Sequence, residues 1–232
     1  MKLALLLPGY LDSPDYLHMK IFEKGLKELG YTVERIDPCS LWENGDVNHY
    51  TISNYIKQVK EKIESYENNN FEEIILIGHS MGGFTAILAG CKIPQVTKII
   101  ALCPPSTLED SAKKWNDQGV RHSKRDLPDN PNQFRVFDIP YAFVEDGLHY
   151  SALEAVKHIH KPLMILIALN DTVVLPEKTE VIVKNADRPY VVRQPNMGHN
   201  FRHSEEQCSL VMDEIKKFLD AYLHSSTAKR NS

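Results

Sequence analysis

The chain is 232 residues long, 42% hydrophobic, 25% charged and 9% aromatic, ordinary proportions for a globular protein. That balance excludes disordered and collagen-like classes, and the length suits one domain with room for a small insertion. With 27 basic against 31 acidic side chains the formal charge is −4, so neither nucleic acid nor an anionic membrane is an expected partner.

The opening apolar run, Leu3 to Leu7, stops at Pro8. A signal-peptide core needs about 7–15 apolar residues, so a buried strand is the expectation here. The other long apolar run, 163–169, falls well short of the roughly 18 residues that a membrane span requires. Cys39, Cys91, Cys103 and Cys208 form no C-x-x-C pair, which points to reduced thiols and a cytoplasmic protein.

Strand-like runs lie at 2–7, 31–36, 73–77, 96–102, 163–169 and 190–193. Most are continuous rather than alternating, the pattern of strands covered on both faces. Helix-period segments at 15–29, 52–66, 80–91, 176–184 and 205–223 fall between and after them. Strand and helix in alternation imply right-handed crossovers: an α/β, doubly wound, mostly parallel sheet. The core is expected to be 1–103 with 162–224, followed by a loose polar tail at 225–232.

Residues 104–161 break the rhythm, because a plain crossover needs only about a dozen residues or slightly more. The segment has a polar, turn-rich centre at 121–133 and then Phe134, Phe137, Tyr141, Phe143 and Tyr150. A cap is expected, with Phe134, Phe137, Tyr141 and Phe143 as its substrate-pocket wall; an inserted subdomain packed on the sheet edge is the plainer alternative. Lys113, Lys114, Arg121, Lys124 and Arg125 are interspersed with Asp117 and Asp126, which reads as a solvated face rather than a phosphate site.

Chemistry concentrates at Gly78-His79-Ser80-Met81-Gly82, a G-x-S-x-G between an apolar strand and a helix. A nucleophile on so sharp a turn sits in strained backbone, so its neighbours must be small. The helix start behind it offers unpaired N–H groups to a developing oxyanion. A serine needs a base, and the base needs an orienting group. Of ten histidines, His199 lies between the last strand and the last helix, on a loop that opens at the same sheet edge as Ser80. His79 is expected to point away on its turn, and His18 has no comparable placement. Asp171 follows the strand at 163–169 and supplies the acid, with a plain turn cap as its alternative.

The order Ser80, Asp171, His199 is that of α/β-hydrolases, and the chain resembles a small serine hydrolase of that fold along nearly its whole length. Leu7-Pro8-Gly9-Tyr10-Leu11-Asp12-Ser13 resembles the family's His-Gly-aromatic oxyanion loop, with Pro8 where His is usual. The resemblance implies that the backbone N–H groups of Tyr10 and Met81 form the oxyanion hole. It also implies a reduced, six-stranded sheet, since the chain starts where the family has its third strand. The stretch from Ile139-Pro140-Tyr141 to Lys161-Pro162, with Asn170-Asp171-Thr172 and Gly198-His199-Asn200-Phe201, is similar to feruloyl and cinnamoyl esterases.

The implied activity is ester hydrolysis through an acyl-enzyme on a small-molecule ester, with no metal and no organic cofactor. Thioester and amide or peptide cleavage use the same machinery. A non-catalytic, ligand-sensing protein of this fold is the reading from another class, and the intact Ser–Asp–His set counts against it. A dinucleotide site fails for want of G-x-G-x-x-G after the first strand. Oligomeric state is not legible.

Overall fold

The computed structural model describes residues 1–222 apart from 67–68, 110–111, 113–114 and 116–118. The expected tail at 225–232, and Lys113, Lys114 and Asp117 of the basic cluster, lie outside the described residues. In chain order the elements are β1 (Lys2–Leu7), α1 (Leu17–Glu28), β2 (Tyr31–Arg35), α2 (Leu41–Asn44), α3 (Ile52–Glu64), β3 (Glu73–His79), α4 (Met81–Lys92) and β4 (Lys98–Leu102). Then come β5 (Val120–Leu127), β6 (Asn130–Pro140), α5 (Ala142–Gly147), α6 (Ala152–Val156), β7 (Leu163–Ala168), α7 (Pro176–Asn185), β8 (Tyr190–Gln194) and α8 (Glu205–Ala221).

Six strands form one parallel sheet in the order β2-β1-β3-β4-β7-β8. The winding reverses at β1 and β3, and the loops after those two strands diverge to leave a crevice at the carboxyl edge. Successive side chains of β1 divide between the faces, as strand geometry requires. Leu3, Leu5 and Leu7 pack with residues of α3 and α4, while Ala4 and Leu6 pack with residues of α1 and α8. Side-chain caps start two of the covering helices: Thr51 accepts from the Asn54 N–H at 3.1 Å and Ser204 from the Gln207 N–H at 3.3 Å.

The expected turn-rich centre of the insertion is instead an antiparallel hairpin, β5 with β6. Its first strand is polar on both faces, so it lacks the apolar alternation by which half-buried strands are recognised. Cross-strand pairing supplies part of what the pattern lacks: His122 sits opposite Asp138, with Nδ1 2.6 Å from the carboxylate.

The two glycines of the turn between β3 and α4 are steric necessities. A Cβ on Gly78 would lie 2.1 Å from the Gly82 carbonyl oxygen, and one on Gly82 would lie 1.9 Å from that of Leu7. Backbone on both sides leaves nothing that can give way. Gly82→Ala is therefore expected to cost about 3 kcal/mol or more, read as a drop in the denaturation midpoint. A variant as stable as the parent would show that α4 and β1 are not packed this closely.

Candidate active site

Ser80 is placed by strain. Its φ of 55° and ψ of −120° lie outside the regions favoured by L residues, and the flanking chain over-determines them. The Ser80 N–H donates to the Leu102 carbonyl at 2.8 Å, and α4 begins at the next residue. His199 comes from the loop after β8 and puts Nε2 2.9 Å from Ser80 Oγ. Its Nδ1 is 2.6 Å from Asp171 Oδ2, so the tautomer that serves both contacts carries its proton on Nδ1. Asp171 also accepts from the N–H groups of Val173 and Val174 through Oδ1, each at 2.8 Å. One carboxylate thus caps its own turn and holds the imidazole. All three side chains were anticipated from the sequence, and the structure brings them together.

The loop after β1 runs beside them. Gly9 lets it approach, since a Cβ there would lie 3.3 Å from that of Ser80. The N–H of Tyr10 and that of Met81, the first residue of α4, donate to no protein acceptor among the described residues. Pro8 has no imidazole to brace this loop, and four side chains brace it instead. Tyr55 Oη donates to the Pro8 carbonyl at 3.2 Å, Tyr50 Oη accepts from the Leu11 N–H at 2.7 Å and Trp42 Nε1 donates to the Leu11 carbonyl at 3.2 Å. Arg125, from β5, donates twice to the Tyr10 carbonyl, at 2.6 and 3.0 Å.

Ser80 and His199 open onto a cavity of about 940 Å³. Its apolar wall includes Tyr10, Met81, Leu108, Trp115, Phe143 and Val173. Of the four aromatics expected there, Phe143 alone lines it, stacked on Tyr50 at 5.4 Å. Phe134 and Phe137 stand three residues apart on one strand and so point to opposite faces. Phe134 is 59% exposed, Phe137 is buried against Trp42 at 5.6 Å, and Tyr141 packs on the core outside the cavity. Of the basic cluster, Arg121 and Lys124 are exposed, as a solvated face requires, but they border this cavity together with the half-buried Arg125.

A family profile described as alpha/beta hydrolase fold matches residues 7–134, more than half of the chain. The chain belongs to that family. Among curated proteins it is similar to the mitochondrial palmitoyl-protein thioesterase ABHD10 of Pongo abelii, 24% identical over 179 residues. That match covers 73% of this chain but only 57% of the relative's length. Among solved structures, Est1E from Butyrivibrio proteoclasticus with bound ferulic acid superposes with a TM-score of 0.75 at 18% identity, covering 94% of this chain and 88% of that one. Mouse alpha/beta hydrolase domain-containing protein 10 gives 0.74 at 19% identity, covering 94% and 90%. At such identities the structures testify to the fold.

Behind the site of this alpha/beta hydrolase fold protein lies a buried polar layer that sequence reading missed. His79 points away from Ser80, as expected, but its ring lies 4.9 Å from that of His199 and its Nε2 donates to the His199 carbonyl at 3.0 Å. Asp12 Oδ2 is 3.8 Å from His79 Nδ1, and both nitrogens of the fully buried His18 lack partners among the described residues. Burial opposes the charge on Asp12, yet His79, Arg125 and Arg202 together hold its carboxyl well below the usual range. Asp12, His18 and His79 are the one cluster with metal-ligating side chains among the described residues, their ligand atoms within 4.8 Å of one another. A divalent cation would sit badly there. The Asp12 carboxylate already faces the Arg125 and Arg202 guanidiniums at 3.5 and 3.9 Å, so added positive charge would meet repulsion. No local pattern in the sequence announces this layer, because its members come from separate stretches of the chain.

Burial pushes His18 down to about 3, and it lowers His79 as well. An unfolded histidine takes up its proton near 6.5, so below that pH the unfolded chain binds more protons than the native one. Stability is expected to fall from pH 6.5 toward 4, with His18 alone contributing about 1.4 kcal/mol per pH unit. Denaturant melts between pH 7 and 5 should show this limb, and His18→Leu should flatten it. An unchanged slope in that variant would mean that His18 is not kept neutral by burial.

Proposed function

We propose that this chain is a serine hydrolase that cleaves carboxylic esters through an acyl-enzyme. The observation that carries the reading is His199, bridging Ser80 Oγ at 2.9 Å and Asp171 Oδ2 at 2.6 Å on the floor of an open cavity. Ser80 Oγ attacks the ester carbonyl carbon while its proton passes to His199 Nε2. Asp171 holds the imidazole in the needed tautomer and stabilises the imidazolium. The carbonyl oxygen, now an anion, takes hydrogen bonds from the N–H groups of Tyr10 and Met81. Collapse breaks the carbon–oxygen bond, and His199 returns the proton to the departing alcohol. Water then repeats the sequence on the acyl-Ser80 ester and releases the acid. The balance closes with water as the one co-reactant.

Thioester cleavage is the second reading, favoured by the curated relative, whose name makes it a palmitoyl-protein thioesterase. A thiolate leaves more readily than an alkoxide, so the same groups serve it. The partner proposed is a small-molecule ester. Residues 104–161 are proposed as a cap, because Leu108, Trp115 and Phe143 come from them to the cavity wall. Four free cysteines suit a reducing compartment such as the cytoplasm, and no described helix is long and apolar enough to cross a membrane.

On 4-nitrophenyl esters, Ser80→Ala and His199→Ala should each lower kcat by about 10³–10⁶-fold, and Asp171→Asn by less. Thermal melts should stay near the parent's, since these side chains carry little of the apolar core. Near-normal turnover in His199→Ala would remove the assigned base, and with it this mechanism.

A further inference from the structure

The cavity beside Ser80 is lopsided in charge. Among its described lining residues Arg121, Lys124 and Arg125 are cationic, whereas the one carboxylate is Asp12, 5% exposed and facing Arg125. This stands against a net charge of −4 for the whole chain. Arg125 is committed to the Tyr10 carbonyl. Arg121, on the same face of β5 as Arg125, has no carboxylate partner among the described residues.

A second observation meets the first at Trp115. Its ring is 3% exposed and lines the cavity, and the Arg121 guanidinium lies over it at 5.4 Å. The indole N–H is buried and has no acceptor among the described residues. That group can only donate, and leaving it unmet is costly, so an acceptor is wanted at this spot. A guanidinium beside it offers a planar fork matched to two oxygens of one anion.

We propose that the substrate is amphiphilic and carries an anionic oxygen group, a carboxylate or a phosphate, bound by Arg121 and Trp115 Nε1. Its hydrocarbon part lies along Tyr10, Phe143, Val173 and Leu175, which line the same cavity. The substrate class rests on the serine-hydrolase reading above, whereas the anion site rests on the cavity itself.

Matched esters test it. On the acyl side the pair is mono-4-nitrophenyl glutarate and its methyl ester. On the leaving-group side, 4-carboxyphenyl hexanoate is compared with its methyl ester, and 4-phosphonooxyphenyl hexanoate brings the phosphate. At least one anionic member should exceed its neutral partner by about tenfold in kcat/KM. The Arg121→Gln variant should lower that anionic-to-neutral ratio by about 2- to 5-fold, the range for one solvent-exposed charge pair. Trp115→Phe, which keeps the ring and removes the donor, should lower it about threefold, and 0.5 M NaCl should erode it in the parent. A ratio near one in every pair, or a ratio that none of these changes moves, overturns the anion site. Hydrolysis of the neutral esters, abolished in Ser80→Ala, tells separately whether the hydrolase reading stands. Should no ester be cleaved, calorimetric titration of the parent with 4-carboxyphenyl hexanoate and its methyl ester still decides. Binding of the anion no tighter than the neutral ester overturns the proposal.

Discussion

Arg202 is a cation with almost no water, 6% exposed, and the arrangement of the site follows from how its charge is met. Its two terminal nitrogens reach the Asp126 carboxylate at 2.8 and 3.2 Å, and its guanidinium lies 4.1 Å from the centre of the Tyr16 ring. Asp12 stands 3.9 Å from its Nε. Desolvating such a group is expensive, and removing one partner of a buried pair costs about 3–5 kcal/mol. These partners come from three separate stretches: Asp12 and Tyr16 follow β1, Asp126 sits on the hairpin, and Arg202 follows His199. Each stretch is held where the charges balance. The loop with the candidate oxyanion donor, the loop with the base and the inserted hairpin share one electrostatic knot.

That knot explains how the loop after β1 stays formed with proline at its head. A loop beside a nucleophile must keep its N–H groups unpaired and aimed outward, so its carbonyls and flanking amides have to be tied from behind. Tyr55, Tyr50 and Trp42 do this from the elements between β2 and β3, and Arg125 does it from the hairpin. The guanidinium that fixes the Tyr10 carbonyl also faces Asp12 at 3.5 Å. Asp12 leads on to His79, whose imidazole is 3.0 Å from the His199 carbonyl. A line of buried polar groups therefore runs beneath Ser80 from the loop after β1 to the loop after β8, with a gap of 3.8 Å between Asp12 and His79.

The parts of the fold legible in the sequence were those set by local pattern. Apolar runs, most of them continuous, gave all six sheet strands, and the turn chemistry of Gly78 and Gly82 gave the position of Ser80. Asp171 and His199 were legible because a parallel sheet puts the ends of its strands on one edge, whatever separates them in the chain. The hairpin escaped because a ribbon with a polar first strand carries no hydrophobic period. Phe134 and Phe137 were misread for the opposite reason: aromatic richness was taken as a surface, when strand geometry sends residues three apart to opposite sides. Arg202, Asp126 and Asp12 were invisible because a charge reads as solvated until its partners, dozens of residues away, are seen to bury it.

The hairpin and the loops after β1 and β8 cannot then be treated as independent modules. In a cap tied to its core by apolar contact alone, wall residues are exchangeable, because packing tolerates conservative change. Here β5 contributes Arg121 and Lys124 to the cavity, Arg125 to the Tyr10 carbonyl and Asp126 to Arg202, within six consecutive positions. Neighbouring residues of a strand cannot be shifted separately, since a slip of one register position exchanges their faces. A change that moves Arg121 or Lys124 along the wall must drag Arg125 off Tyr10 or Asp126 off a buried guanidinium. The constraint that holds the loop after β1 is thus the same one that holds β5 against the cavity beside Ser80, and the two features have to vary together.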